Sequence, residues 1–182
     1  MTNHIRWKPG SPNHILWTNT SPRHISWGCP APTLCDLPGF TPTTQVADGT
    51  SATVIISGIT SADPFYQVCP CEFYCGTISL PKTGCGNYQL FSAGCGSTHG
   101  VTAPFWGLSI VPSGSDFVWA ATVQTNGLAT AFEGAQWRSP PLPLIGGTYY
   151  DARGTFSLTL FSSASVFYGC TFSAATVSAT VA

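Results

Sequence analysis

Charge is nearly missing from this chain. Of 182 residues only six are Lys or Arg and seven are Asp or Glu, where ordinary domains carry about a quarter charged residues. The formal net charge of −1 gives no large field to steer a charged partner. Phosphate-driven nucleic-acid binding needs many cations and is not expected. Arg6, Lys8 and Arg23 do stand among tryptophans, an arrangement suited at most to light contact with single strands. Long apolar runs are also lacking, so no membrane-spanning helix is expected. No basic-then-apolar leader follows Met1, and no secretory signal is expected. Gly-rich phosphate loops, G-x-S-x-G, H-E-x-x-H and calcium loops are all missing, so the expectation is no enzyme and no cofactor. A surface this poor in charge must be covered by Thr, Ser, Gly and Asn or by neighbouring subunits. Free, concentrated proteins usually keep more net charge for solubility, whereas subunits packed in shells, tubes or filaments tolerate its loss.

What the chain does have is one ten-residue phrase written three times. Asn3-His4-Ile5-Arg6-Trp7, Asn13-His14-Ile15-Leu16-Trp17 and Arg23-His24-Ile25-Ser26-Trp27 each run on to a proline, at Pro12, Pro22 and Pro32. Pro9, Pro12, Pro22, Pro30 and Pro32 exclude a helix and push the residues before them toward extended geometry. In an extended chain side chains alternate between faces. Ile5 with Trp7, Ile15 with Trp17 and Ile25 with Trp27 then share one face. His4, His14 and His24 take the other, beside the variable Arg6, Leu16 and Ser26. One repeat spans about 33 Å when fully extended. Each buried Ile–Trp pair contributes several kcal/mol at about 25 cal/mol per Å², and linking three pairs adds effective concentration. The reading is an arm over residues 1–35 with three equivalent docking sites. The alternatives are three short strands packed on the chain's own body and a free tail. The histidines stand too far apart for a local metal site, and no carboxylate precedes Asp36, so no metal is expected. Asn19-Thr20-Ser21 fits a glycosylation sequon that is common by chance.

Eight cysteines, an even number, stand at Cys29, Cys35, Cys69, Cys71, Cys75, Cys85, Cys95 and Cys170. Disulfides are the leading reading in an oxidising setting. Cys69-Pro70-Cys71 with Cys75 and Cys85 offers thiolates to zinc as an alternative, but its C-x-C-x3-C spacing is not a standard finger pair.

After Cys35 the repeat stops, and Asp36-Leu37-Pro38-Gly39 with Pro42 reads as a linker over 36–42. From Thr43 the pattern is strand-like. Strands are expected at Thr53–Ile59, Tyr74–Leu80, Tyr88–Ser92, Phe105–Val111, Phe117–Val123, Leu128–Trp137, Thr155–Phe161 and Cys170–Val181. Asn126-Gly127 is a favoured hairpin turn. About eight strands with Gly- and Pro-rich turns imply an all-β body over 43–182, a sandwich or jelly roll with an aromatic core. A Cys95–Cys170 pair would tie its middle to its last strand.

The run Ala52-Thr53-Val54-Ile55-Ile56-Ser57-Gly58-Ile59-Thr60, the later Cys-Gly pairs and Cys170 before a Thr/Val strand resemble uncharacterised cysteine-containing β domains of planctomycete and tailed-phage proteins. The resemblance covers residues 43–182 and leaves out the repeats. It implies a virion or surface role and carries over no catalytic residue.

Chemistry is otherwise sparse. A two-carboxylate glycosidase would need Glu133 beside Asp116, Asp151 or Glu72. His99 reads as a solvated loop residue, and Asp151 with Arg153 as a local ion pair worth little if exposed. Trp106, Trp119, Trp137, Tyr149 and Tyr150 would make a sugar-stacking platform if exposed, and a core if not. The expectation is therefore a structural subunit of a large assembly, a virion decoration, cement or fibre-like protein. Its partners would be capsid or tail proteins or copies of itself. A self-assembling extracellular or cell-surface filament and a glycan-binding module are the rival readings.

Overall fold

The computed structural model describes residues 32–61, 75–91, 104–125, 134–163 and 170–182. The three repeats, with His4, His14, His24 and their Ile–Trp pairs, lie outside the described residues, as do Cys29, Cys69, Cys71, Cys95, His99, Glu72, Glu133 and the Asn126-Gly127 turn. Thr33–Ala182 forms one compact unit.

The described residues are all-β. Its strands are β1 (Leu34–Asp36), β2 (Gln45–Ala47), β3 (Ser51–Ser57), β4 (Thr60–Ser61), β5 (Gly76–Gly84), β6 (Asn87–Phe91) and β7 (Pro104–Ser113). They continue as β8 (Asp116–Thr125), β9 (Gly134–Arg138), β10 (Leu144–Ile145), β11 (Tyr149–Asp151), β12 (Gly154–Ser163), β13 (Cys170–Thr171) and β14 (Thr176–Val181). Where the sequence suggests two facing sheets, eight strands close on themselves in the order β12-β14-β3-β5-β6-β7-β8-β9. Closure is made by β9 against β12, through Thr159 opposite Arg138 and Leu160 opposite Trp137. The register shifts between Leu160 and Ser162, a bulge of the kind that bends a strand and re-aims a side chain. Closing the sheet leaves it no open edge.

Alternation decides which residues enter the barrel. Ala52, Val54 and Ile56 of β3 and Val177, Ala179 and Val181 of β14 are buried, with Ser and Thr between them. The longest hairpin, β7–β8, pairs from Pro104 opposite Thr125 to Ser113 opposite Asp116. Its turn places Gly114 at φ 65°, as two-residue hairpin loops demand. Its inward residues, Trp106, Leu108, Trp119, Ala121 and Val123, meet Tyr88 and Trp137 in one core. Bulky rings stand beside small residues (Trp119 with Ala121, Trp137 with Ala135), which lets an eight-stranded barrel fill its interior with side chains.

A second sheet, β1-β2-β11-β10, packs against the end of the β7–β8 hairpin. Phe40 and Tyr150 both set their rings edge-on to Phe117, at 4.9 and 5.0 Å. Leu37 and Phe40, from the stretch read as a linker, are part of this packing. Gly86 sits so close to Leu37 and Ile110 that a Cβ there would lie 2.8 Å from each side chain.

Candidate functional site

Two features of the described residues are candidates: an open groove on the outside of the barrel, and a covalent and ionic clamp where β1 meets the β5–β6 turn.

The groove follows from strand pleating. The residues between the buried ones on β12, β14, β3 and β5 face outward, and nearly all are Ser or Thr. The register aligns them in rows. Thr155, Thr180, Thr53 and Ser79 stand side by side, and Ser157, Ser178, Ile55 and Thr77 form the next row. Thr155 bonds Thr180 at 3.0 Å and Ser57 bonds Thr176 at 2.7 Å. This polarity is the reverse of a membrane-spanning barrel, whose outward band is apolar. Among the described residues no helix is long and apolar enough to cross a membrane. An open groove of about 490 Å³ runs along this face, bounded by Ile55, Ser57, Ser157, Thr159, Leu160 and Thr176. Each hydroxyl offers one donor and two acceptor sites. No titratable side chain lines the groove, so its lining supplies neither a counter-charge for an ionised ligand nor a general acid or base. It suits a neutral, hydroxyl-rich ligand.

Of the two readings of Trp106, Trp119, Trp137, Tyr149 and Tyr150, sugar platform or core, the structure shows the core for the tryptophans. Trp106, Trp119 and Trp137 are buried in the core. Tyr150 is spent on Phe117, and Tyr149 is half-buried on the second sheet. The physical reason is inward alternation on β7, β8 and β9: Trp106, Trp119 and Trp137 all fall in phase with the barrel interior. An exposed aromatic ring stands elsewhere. Phe161, at the β12 bulge, is 59% exposed, with the Arg138 guanidinium 3.5 Å above its ring. Asp116 is the exposed first residue of β8, just after the β7–β8 turn. Asp151 is held by Arg153 at 2.9 Å, and that bond keeps its carboxyl below the usual range. Asp116 and Asp151 are thus placed apart from the groove lining.

The clamp joins the second sheet to the barrel. Cys35 of β1 is disulfide-bonded to Cys85 in the β5–β6 turn, with a sequence separation of 50. Cys170 is disulfide-bonded as well, and Cys75 is a free thiol. Beside the Cys35–Cys85 bond lies Asp48, its side chain 3% exposed. One carboxylate oxygen accepts from Lys82 Nζ at 2.7 Å and the other from the Gly86 N–H at 2.8 Å. A buried carboxylate is tolerated only with such partners. Sequence reasoning missed Asp48 and Lys82, because only the β3–β5 and β5–β6 pairings bring them together. The outward hydroxyls were visible in the alternation, but strand order is needed to see them as one face.

Tyr88 lies next to this clamp and donates its phenolic hydrogen to Gly49 O at 2.7 Å. Burial first, and the nearby Asp48 charge second, push its ionisation well above the ordinary tyrosine range. The folded state therefore binds this proton more tightly than the unfolded chain, whose tyrosine ionises near about pH 10. The stability linked to Tyr88 is fully present below that pH and is lost as pH rises beyond it. Absorbance titration of the wild type should show one tyrosine that ionises only with unfolding. Tyr88→Phe should flatten the alkaline limb of stability, and an unchanged slope would contradict the linkage.

No family model, curated protein or solved structure matches this chain.

Proposed function

We propose that this chain is a structural subunit of a large regular assembly, a virion decoration, cement or fibre-like protein attached through its N-terminal repeats. The observation that carries the reading is the repeat itself, three copies of [N/R]-H-I-x-W-x4-P within the first 32 residues. Ile5, Trp7, Ile15, Trp17, Ile25 and Trp27 are the anchors, and they engage neighbouring capsid or tail proteins, or copies of this chain, by strand addition or groove insertion. On the extended reading of the repeat, His4, His14 and His24 take the other face and belong to the same partner-binding set. The scarcity of charge fits a surface covered by neighbours. The disulfides suit an oxidising exterior, which a virion reaches after release and a cell-surface filament also occupies.

A glycan-binding module is the second reading, favoured by the uncharged hydroxyl groove. Size fractionation of native source material without denaturant separates the two. The assembly reading expects the chain to travel with megadalton particles, and Trp17→Ala to loosen that attachment while leaving the thermal transition of the body in place. A free monomer that binds a neutral polysaccharide after deletion of residues 1–32, which leaves β1 and the Cys35–Cys85 bond in place, would overturn it in favour of the glycan reading.

A further inference from the structure

We propose that the reduced chain holds a thiophilic divalent metal ion, of the zinc class, between Cys35, Cys85 and Asp48. The two sulfurs and a carboxylate oxygen already lie within 4.8 Å of one another. Two thiolates and one carboxylate, with water in the fourth position, make a tetrahedral zinc set. The three ligands come from separate places in the chain and are brought together by the fold, and with the sulfur–sulfur bond open the ion would take over the constraint on the short β1. Cys35 is held in β1 by pairing with Val46 of β2. Cys85 sits in the tight turn joining β5 to β6, and the two Cα atoms are 5.8 Å apart. Asp48 is fixed by Gly86 N and Lys82. These two bonds use about half of the roughly four lone-pair sites of a carboxylate, which leaves room for a metal.

Charge balance supports the site in both redox states. With the disulfide closed, Asp48 and Lys82 cancel. Reduction gives two neutral thiols: a dithiol supplies both electrons and both protons and becomes a disulfide, whereas a phosphine supplies the electrons and becomes a phosphine oxide, taking its oxygen from a water that supplies the two protons. Metal binding then releases those two protons to solvent. Two thiolates and Asp48 carry three negative charges, and the ion and Lys82 carry three positive ones. The cluster is neutral again, so burying it incurs no net-charge penalty. The joint between β1 and the β5–β6 turn is thus held by metal in a reducing cytosol and by the disulfide after oxidation.

Alkylation mapping on the full chain tests this. The protein is reduced with a phosphine, which leaves no competing thiol, then treated with iodoacetamide with and without Zn²⁺, and each cysteine is read by peptide mass. Cys69, Cys71 and Cys75 are read in the same digest, because an ion held there with Cys85 instead would protect them and leave Cys35 unprotected, which would overturn the proposal. Zn²⁺ should slow alkylation of Cys35 and Cys85 together by about tenfold or more, and Asp48→Asn should remove most of that protection, as loss of metal-site partners typically lowers affinity 10–100-fold. Equal rates with and without Zn²⁺ at Cys35 and Cys85 would overturn the proposal. So would full protection in Asp48→Asn, which would show that the carboxylate is no ligand. If the reduced chain unfolds, Zn²⁺ should restore the near-ultraviolet circular dichroism of the buried tryptophans in wild type but not in Cys35→Ala/Cys85→Ala. Failure to restore it, or restoration in both proteins, overturns the proposal too.

Discussion

Replacing Cys35 and Cys85 together by Ala is expected to lower the stability of the body by about 4 kcal/mol, since a cross-link over some fifty residues removes that much chain entropy from the unfolded state. For a domain of this size the midpoint of thermal unfolding should fall by about 10 °C. The loss should concentrate where the clamp acts. β1 has three residues and pairs only with β2, a contact too short to hold by itself. Hydrogen exchange should therefore speed up at β1 and β2 while the β7–β8 hairpin stays protected. The Asp48–Lys82 bond survives the double substitution, but its Lys82 end is about one-third exposed, so it replaces little of the lost constraint. An unchanged midpoint would mean that the unfolded chain is already constrained elsewhere, the disulfide at Cys170 being the first suspect. The position of the bond also bears on the proposed arm. Any pull along residues 1–32 enters the body at β1, and Cys35 passes it to the barrel before the short β1–β2 pairing can peel. On the attachment proposed above, variants without the bond should detach more readily than their monomer stability alone predicts.

The long barrel strands were legible in the sequence because their signal is local, whereas the two- and three-residue strands of the second sheet, β1, β2, β10 and β11, are too short to show a period and were not legible. Thr155–Phe161 alternates, and Leu158 is buried between exposed Ser157 and Thr159 as the period of two requires. Phe117–Val123 reads as a strand from its composition, and β8 covers it. Closure was not legible. It depends on β12 meeting β9 on one side and β14 on the other, and no local pattern encodes which distant strands pair. The tryptophans show the same limit. A ring in phase with the interior and one in phase with solvent give the same composition, so Trp106, Trp119 and Trp137 stayed ambiguous until register placed them inside. Eight cysteines allow 105 full pairings, and nothing in their spacing favours Cys35 with Cys85. The neutral groove was invisible for a different reason. Its hydroxyls come from strands far apart in sequence, and Ser and Thr at outward positions are unremarkable until they are seen side by side.

Trp119→Ala should be among the most damaging single substitutions in the body, at about 3–5 kcal/mol. The ring is fully buried and lies 5.8 Å from the Tyr88 ring. Its indole N–H donates to Ala152 O at 3.0 Å, which fastens the interior of β8 to the chain just before β12. Two milder variants separate packing from that bond. Trp119→Phe keeps an aromatic ring but strands a buried carbonyl, which costs about 1–3 kcal/mol beyond the lost volume. Trp137 is equally buried, yet its indole N–H has no acceptor among the described residues. Trp137→Phe therefore gives up similar volume while deleting a donor that is already unsatisfied. Denaturant unfolding of the two Phe variants should place Trp119→Phe below Trp137→Phe by about 1–2 kcal/mol, close to the net worth of one buried hydrogen bond. Equal losses would show that ring volume alone governs these sites and that the bond to Ala152 adds nothing. A larger loss at Trp137 would reverse the order, and would mean that its ring, edge-on to Phe172 at 5.8 Å, is the more important contact in the core.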